Sequence, residues 1–335
     1  MLLEKCESRW NMTVLEEIRP VRDQQLNLFD DQTNKALQIG AGHMGAVRFG
    51  APNILVGTCA WADHADFYPA RLKPTERLPF YAQYFPIVEI DSTFYHIQNE
   101  RNFRAWAERT PDYFKFNVKA FKALTLHERQ DPFQTADAAR SYPGKPTRAI
   151  IVPQAATFEH FGASLQPLRE AGKLRAIHFQ FPPWFTATGE NREYLETVRA
   201  FFPHDLLAVE FRHRSWLDTP NREITMQTLR TLRMSYVIVD EPQIGTGSVP
   251  PLIEITNLEL ALFRFHGRNL TTWYKPAATT AERFDYVYSE QELAEWQPQI
   301  EAVSRQVRET HVLLNNCAGN AAVINGQQLR GLLDV

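Results

Sequence analysis

The chain predicts an α/β architecture, a (β/α)8 TIM barrel with an N-terminal extension, on three observations. Eight short apolar runs recur between residues 54 and 316, helix-like stretches separate them, and each run ends in charged or aromatic residues. Eight strand-then-helix units of this kind close into a ring of parallel strands. Such a ring needs about 250 residues. Residues 51–335 supply them, which leaves 1–50 as an appended arm.

Taken in order, the first strand is Ile54–Trp61, and Thr75–Phe85 follows as a helix. The second is Ile87–Tyr95. After it Asn99–Arg109 reads as a helix with Asn99 as N-cap and Phe103 and Trp106 three apart on one face. Tyr113–Lys119 is the third strand, and a long connection, Phe121–Pro153, precedes the helical Thr157–Gly172. Long loops on the site side of a barrel often carry function, so this one reads as a lid or substrate arm. Ala176–Pro182 and Leu206–His213 follow as strands, with helices at Asn191–Phe202 and Pro220–Met234. Tyr236–Asp240, Leu260–Arg268 and Thr310–Asn316 complete the ring. Ser289–Arg308 is a helix opened by the capping box of Ser289 and Glu292, and Ala321–Leu333 is the last.

Composition narrows the class. With 335 residues, 44% hydrophobic and 22% charged, one large domain with a buried core is expected. A net charge of −3 excludes a generally basic coat for nucleic acid and confines any such contact to a patch. Cys6, Cys59 and Cys317 are far apart without a C-x-x-C pair, so neither a disulfide framework nor a zinc ribbon is indicated. A cytoplasmic setting is expected. No signal peptide or bilayer-length apolar stretch is seen, so a membrane is not an expected partner.

Barrel strands are usually apolar on both faces, yet several here alternate. Phe263 and Phe265 take one face of the seventh strand; Arg264, His266 and Arg268 take the other. The same alternation gives Glu89, Asp91 and Thr93; Lys115, Asn117 and Lys119; His178 and Gln180; Glu210 and Arg212; and Asp240, with Asn315 and Asn316 ending the eighth strand. If the phenylalanines meet the helices, this set points into the barrel mouth. Buried charges are tolerated when they pair or meet a ligand. A set of internal salt bridges, Glu210 with Arg264 for example, is the alternative to a site.

Arg212, Arg264, Arg268 and Lys119 match the carboxylates in number, which favours a phosphate or carboxylate ligand held by arginine over a bare metal. Gln180 and Asn316 join them as ligand contacts. A divalent metal remains a minority reading, because Glu89, Asp91, His178, Glu210, Asp240 and His266 supply donors without a recognisable ligand spacing. Four of the seven tryptophans, Trp61, Trp184, Trp216 and Trp273, lie at or beyond strand ends, as does Tyr95. Of these, Trp61, Tyr95 and Trp216 are expected to stack on a base or sugar, or else to plug the barrel top. For catalysis the candidates are Glu210 and Asp91 as base and His266 as acid, with His127 and His213 weaker. Ser92 and Cys59 lack assignable triad partners.

Seven stretches carry a family resemblance: Gly57–Trp61 (GTCAW), Glu89–Tyr95 (EIDSTFY), Phe114–Phe116 (FKF), His178–Phe185 (HFQFPPWF), Val209–Trp216 (VEFRHRSW), Arg264–Arg268 (RFHGR) and Asn315–Asn316. In this order they resemble domain-of-unknown-function family 72, also called YecE-like, over about residues 54–330. The resemblance implies a TIM barrel with shared polar residues at its strand ends and no established reaction. The chain departs from the family's usual pattern at Cys59 and Ala60 (usually Ser-Gly), at Asp91 (usually Asn) and at Cys317 (usually His). In outline the barrel is similar to those of abasic-site endonucleases and sugar isomerases, an analogy of fold alone.

The arm adds two motifs. Gly40, Gly42 and Gly45 match G-x-G-x-x-G by letter, but Ala46–Pro52 follows and cannot start a helix, so a linker is the better reading. Gln25, Leu26, Asn27, Leu28 and Phe29 resemble the pentapeptide that docks on the bacterial sliding clamp, against an apolar patch folding back on the barrel. The expected function is an enzyme, phosphodiesterase-like, that binds a phosphorylated small molecule or nucleic-acid end in the mouth. A sugar-phosphate isomerase or hydrolase, and a non-catalytic adaptor tethered to the clamp, are the alternatives.

Overall fold

Alternating apolar strands and amphipathic helices can bury both surfaces of a sheet by rolling it closed, and this chain does so. The computed structural model describes residues 53–130, 149–150, 152–273 and 280–335. The arm, with Gln25, Leu26, Leu28 and Phe29, lies outside the described residues, as does the middle of the long connection. The strands are β1 (Ile54–Cys59), β2 (Ile87–Ile90), β3 (Lys115–Lys119), β4 (Leu174–Gln180), β5 (Leu207–Glu210), β6 (Met234–Asp240), β7 (Ala261–Phe265) and β8 (Thr310–Leu314). Each pairs in parallel with its neighbours in sequence, and β8 closes on β1. The fold is the (β/α)8 barrel.

Around it lie α1 (Pro74–Tyr81), α2 (Glu100–Glu108), α3 (Ala155–Ser164), α4 (Gln166–Glu170), α5 (Gly189–Phe201), α6 (Asn221–Thr231), α7 (Glu290–Ser304) and α8 (Ala321–Leu333). Their starts follow the cap chemistry. The Asn99 side chain accepts from the Asn102 amide at 2.9 Å, and Ser289 and Glu292 exchange both bonds of a capping box. No helix among the described residues is long and apolar enough to cross a membrane.

Register decides which residues look inward. Ile238 pairs with Phe263 and Asp240 with Phe265, and both phenylalanines pack on Trp296 of α7, at 6.1 and 5.3 Å between rings. That face meets helices, so Arg264 and its register partners Val239 and Leu313 look into the barrel. At the N-terminal end of the barrel a polar layer forms. His311 meets Asn117 at 3.0 Å and Glu309 at 2.6 Å, and Glu309 also accepts from Arg175 at 2.5 Å. Gly57 is required where β1 meets β2, since a Cβ there would stand 2.0 Å from the Ile87 carbonyl oxygen.

The first part of the long connection is pinned over the C-terminal end of the barrel. Tyr194 donates to the Leu124 carbonyl at 2.8 Å and Trp184 to that of Leu126 at 3.0 Å. Farther on, Arg129–Gln130 pairs antiparallel with Ala149–Ile150, which brings the ends of the connection together.

Candidate functional site

At the C-terminal strand ends, one guanidinium bridges two carboxylates. Arg264 donates to Glu89 and to Glu210, both at 2.7 Å, and to the Cys59 sulfur at 3.2 Å. His178 lies between the same carboxylates, 2.9 Å from Glu89 and 3.2 Å from Glu210. Glu210 is the hub. Its other oxygen meets Gln180 at 2.6 Å, His266 at 3.1 Å and Arg212 at 3.2 Å. Arg264, Glu89, Glu210, His178 and His266 are all buried. Burial pushes Glu89 and Glu210 up, but Arg264 outweighs it, with His178 helping at Glu89 and His266 at Glu210, and both carboxyls fall well below the ordinary range. Burial takes His266 down to about 3 despite Glu210. Its ring is neutral, donating from Nε2 to Glu210 and accepting at Nδ1 from the Asn315 amide at 2.8 Å.

Above this closed network lies a more open ring. Arg212 shares one nitrogen between Glu210 and Glu241, at 3.2 and 2.9 Å, and lays its guanidinium 4.8 Å over Trp273, with its side chain 14% exposed. Burial lifts Glu241 to about 7 against the pull of Arg212, and its second oxygen accepts from the Val249 amide at 2.8 Å. Lys119 is partly exposed and sits 4.7 Å over Phe94. Its pKa is lowered by burial and then by Arg264. Asp91, also partly exposed, is lifted to about 6 by burial against Lys119. His127 is held down to about 3 by burial and by Lys119, which shares the Phe94 ring with it. Its ring leans on Phe94 and Trp184 at 4.9 and 5.9 Å. Trp61, partly exposed, meets Trp106 edge-on at 5.2 Å, and Tyr95 is 61% exposed.

The model of the family described as "Protein of unknown function DUF72" matches residues 55–335. The chain belongs to the DUF72 family. The UPF0759 protein YunF of Bacillus subtilis (strain 168) is 36% identical over 286 residues, 84% of this chain and 95% of that one. Among solved structures, a DUF72 protein of Enterococcus faecalis V583 superposes with a TM-score of 0.71 at 30% identity, covering 84% of this chain and 96% of its own. Another, from Thermotoga maritima MSB8, gives 0.69 at 33% identity, covering 84% and 100%. Every member of the buried network lies in the stretches that carried the DUF72 resemblance.

In this DUF72 protein Glu210, Arg212, Arg264, His266, Lys119, Gln180 and Asp91 do come together, but Glu210, Arg264 and His266 are sealed beneath the rest. Both oxygens of Glu210 are engaged and it is held ionised, and His266 has both ring nitrogens engaged. Four residues expected in the mouth are elsewhere. Gly267 adopts φ +86°, which ends the alternation of β7. Arg268 therefore turns outward to Asp240 at 2.9 Å and Glu292 at 3.2 Å. Asp240 faces the helices with its register partner Phe265, and Glu241 takes the inward place. Asn316 is buried against α8, donating to Asn325 at 2.8 Å and to the Tyr286 carbonyl at 2.9 Å. Counting by twos from His311 would have selected Asn315. Trp216 is buried, stacked on Phe211 and Phe185 and donating to the Phe185 carbonyl at 2.6 Å, so it supports the rim from below. Glu241 and His127 were not singled out as ligand contacts, and the tertiary path that carries His127 back over the barrel left no mark in its local sequence. Among the described residues no three His, Cys, Asp or Glu side chains form a metal-ligand group. The Arg264 guanidinium stands between the two central carboxylates.

Proposed function

We propose that the barrel mouth binds a small phosphate-bearing ligand, a nucleotide or nucleic-acid end by class, and hydrolyses it as a phosphodiesterase does. One observation carries this reading. Lys119 and Arg212 stay partly exposed at the rim, Lys119 sharing the Phe94 ring with His127, while the carboxylates beneath them are already committed to Arg264 and the histidines. A phosphate seated there would meet the ammonium, a guanidinium nitrogen and the imidazole, and the aromatic rim of Trp61, Tyr95 and Trp184 would flank an attached ring. Asp91 is the accessible carboxyl with a pKa near neutrality, suited to take a proton from attacking water and pass it to the leaving oxygen. The family pattern that this chain resembles has an amide here, so the base is proposed for this chain and not for the family. The clamp-like pentapeptide Gln25–Phe29 supports the nucleic-acid side of the reading.

A non-catalytic binding module is the second reading, favoured by the full engagement of Glu210 and His266. Titration of nucleoside mono- and diphosphates by calorimetry, followed by turnover assays on dinucleotides, separates the two. Lys119→Met and Arg212→Met are expected to weaken binding at least tenfold, and Asp91→Asn to abolish turnover while sparing binding. Undiminished binding in both cation variants would sink the site, and binding without turnover in wild type would leave the module.

A further inference from the structure

We propose that Lys119 is a nucleophilic amine, on which the barrel mouth captures a small aldehyde or ketone as an imine. The inference goes beyond the phosphodiesterase reading and does not rest on it: the ammonium form of this lysine meets a phosphate, the free amine a carbonyl. Two lysines with their pKa lowered by burial are held in opposite ways. Lys173 donates to the Ala107 and Thr110 carbonyls and to the Thr110 hydroxyl, at 2.6, 2.7 and 3.2 Å, so the protein itself solvates its ammonium. Lys119 has no such shell. Among the described residues its Nζ enters no hydrogen bond and no ion pair, and lies 4.7 Å over the Phe94 ring. The carboxylates beneath are held by Arg264 at 2.7 Å each, and that guanidinium opposes a second cation. Desolvation beside a fixed cation favours amine over ammonium, which is how a lysine becomes a nucleophile. Its place suits the role, since Lys119 ends β3, partly exposed, on the face where such barrels carry their sites. The backbone beneath it is fixed: the Thr93 hydroxyl donates to the Lys119 carbonyl at 2.6 Å, and the Ala120 amide to that of His178 at 2.9 Å.

Asp91 supplies the acid. It follows Ile90, whose register partner Val118 precedes Lys119, so the two residues end neighbouring strands at one level on the inward face. The Lys119 nitrogen attacks the carbonyl carbon, the C=O π pair moves to oxygen, and a proton passes from nitrogen to that oxygen to give a carbinolamine. Asp91 in its acid form then protonates the hydroxyl. The C–O bond breaks, water leaves, and the nitrogen lone pair closes the C=N bond. The products are an iminium on Lys119, one water and the Asp91 carboxylate.

The test treats the full chain at pH 7 with glycolaldehyde and cyanoborohydride, which reduces an imine to a stable hydroxyethyl amine, and locates the adduct by peptide mass spectrometry. Lys119 is expected to label at least tenfold faster than Lys73, an exposed lysine. Lys119→Arg, which keeps the cation over Phe94, should lose that adduct and retain the one on Lys73. Asp91→Asn should slow labelling at Lys119 about tenfold and leave Lys73 unchanged. Labelling of Lys119 no faster than that of Lys73, or at a rate indifferent to Asp91→Asn, overturns the proposal. Sulfate calorimetry on the same samples reports the phosphate reading separately. An imine without sulfate binding upholds this inference, and sulfate binding without an imine refutes it alone.

Discussion

Arg264→Met is the sharpest test of the buried network. Methionine keeps much of the volume but strips Glu89 and Glu210 of the cation that each meets at 2.7 Å. Removing one partner of a buried ion pair costs about 3–5 kcal/mol, because an uncompensated charge is left in a poorly polarisable interior. The pH dependence carries the finer information. In wild type both carboxyls are depressed below their ordinary value of 4.5. Their stabilisation is therefore present above about pH 4.5 and lost as pH falls through the depressed values. Without Arg264, burial dominates and raises them, so each carboxyl takes up a proton on folding. The variant's deficit should then already be present at pH 5, where the wild-type stabilisation is complete, and grow further, to about 3–5 kcal/mol by pH 8, as its raised carboxyls are forced to ionise. Urea unfolding at pH 5, 6.5 and 8 measures it. Adding Glu89→Gln should partly restore Arg264→Met at pH 8, although the same change alone destabilises wild type, a reversal of sign that only shared charge explains. A deficit below about 1 kcal/mol, or one independent of pH, would refute the reasoning.

Three further outcomes are expected. Binding of sulfate, whose charge is constant across the range, should weaken about tenfold or more from pH 5 to 8 as Asp91 (about 6) and Glu241 (about 7) ionise; Asp91→Asn should flatten the profile, as read by calorimetry. Ala60 has φ +61°, a conformation that costs an L residue roughly 1–2 kcal/mol. Ala60→Gly should therefore raise stability by up to about 1 kcal/mol after the extra freedom of the unfolded chain is subtracted, seen as a rise of about 1–3 °C in the calorimetric Tm. Lys173, buried, donates to the Ala107 and Thr110 carbonyls at 2.6 and 2.7 Å; Lys173→Met strands both acceptors and should cost about 2–4 kcal/mol in urea unfolding.

The barrel was legible in the sequence because its signal is local and repeated. Phe263, Arg264, Phe265 and His266 alternate as the pleat alternates, and each run needs only its own residues to declare two faces. The convergence of Glu210, Arg264 and Lys119 followed once those faces were assigned to a closed ring. Three kinds of information were missing. Where alternation stops depends on single backbone angles such as that of Gly267, so Arg268 and Asp240 could not be seen to turn outward. Which of two adjacent asparagines looks inward depends on counting from a residue, His311, whose partner Asn117 is 194 positions away. The place of His127 depends on Tyr194 and Trp184 fastening the long connection from a separate unit of the barrel.

By itself the sequence determined the architecture, the family and the list of ionisable residues at the strand ends, since periodicity and motif are properties of neighbours along the chain. Only the tertiary structure decided which of those charges neutralise one another in the interior and which stay partly exposed at the rim. That division is a matter of distance and burial across the ring, and Coulomb attraction and desolvation act through space without regard to order along the chain.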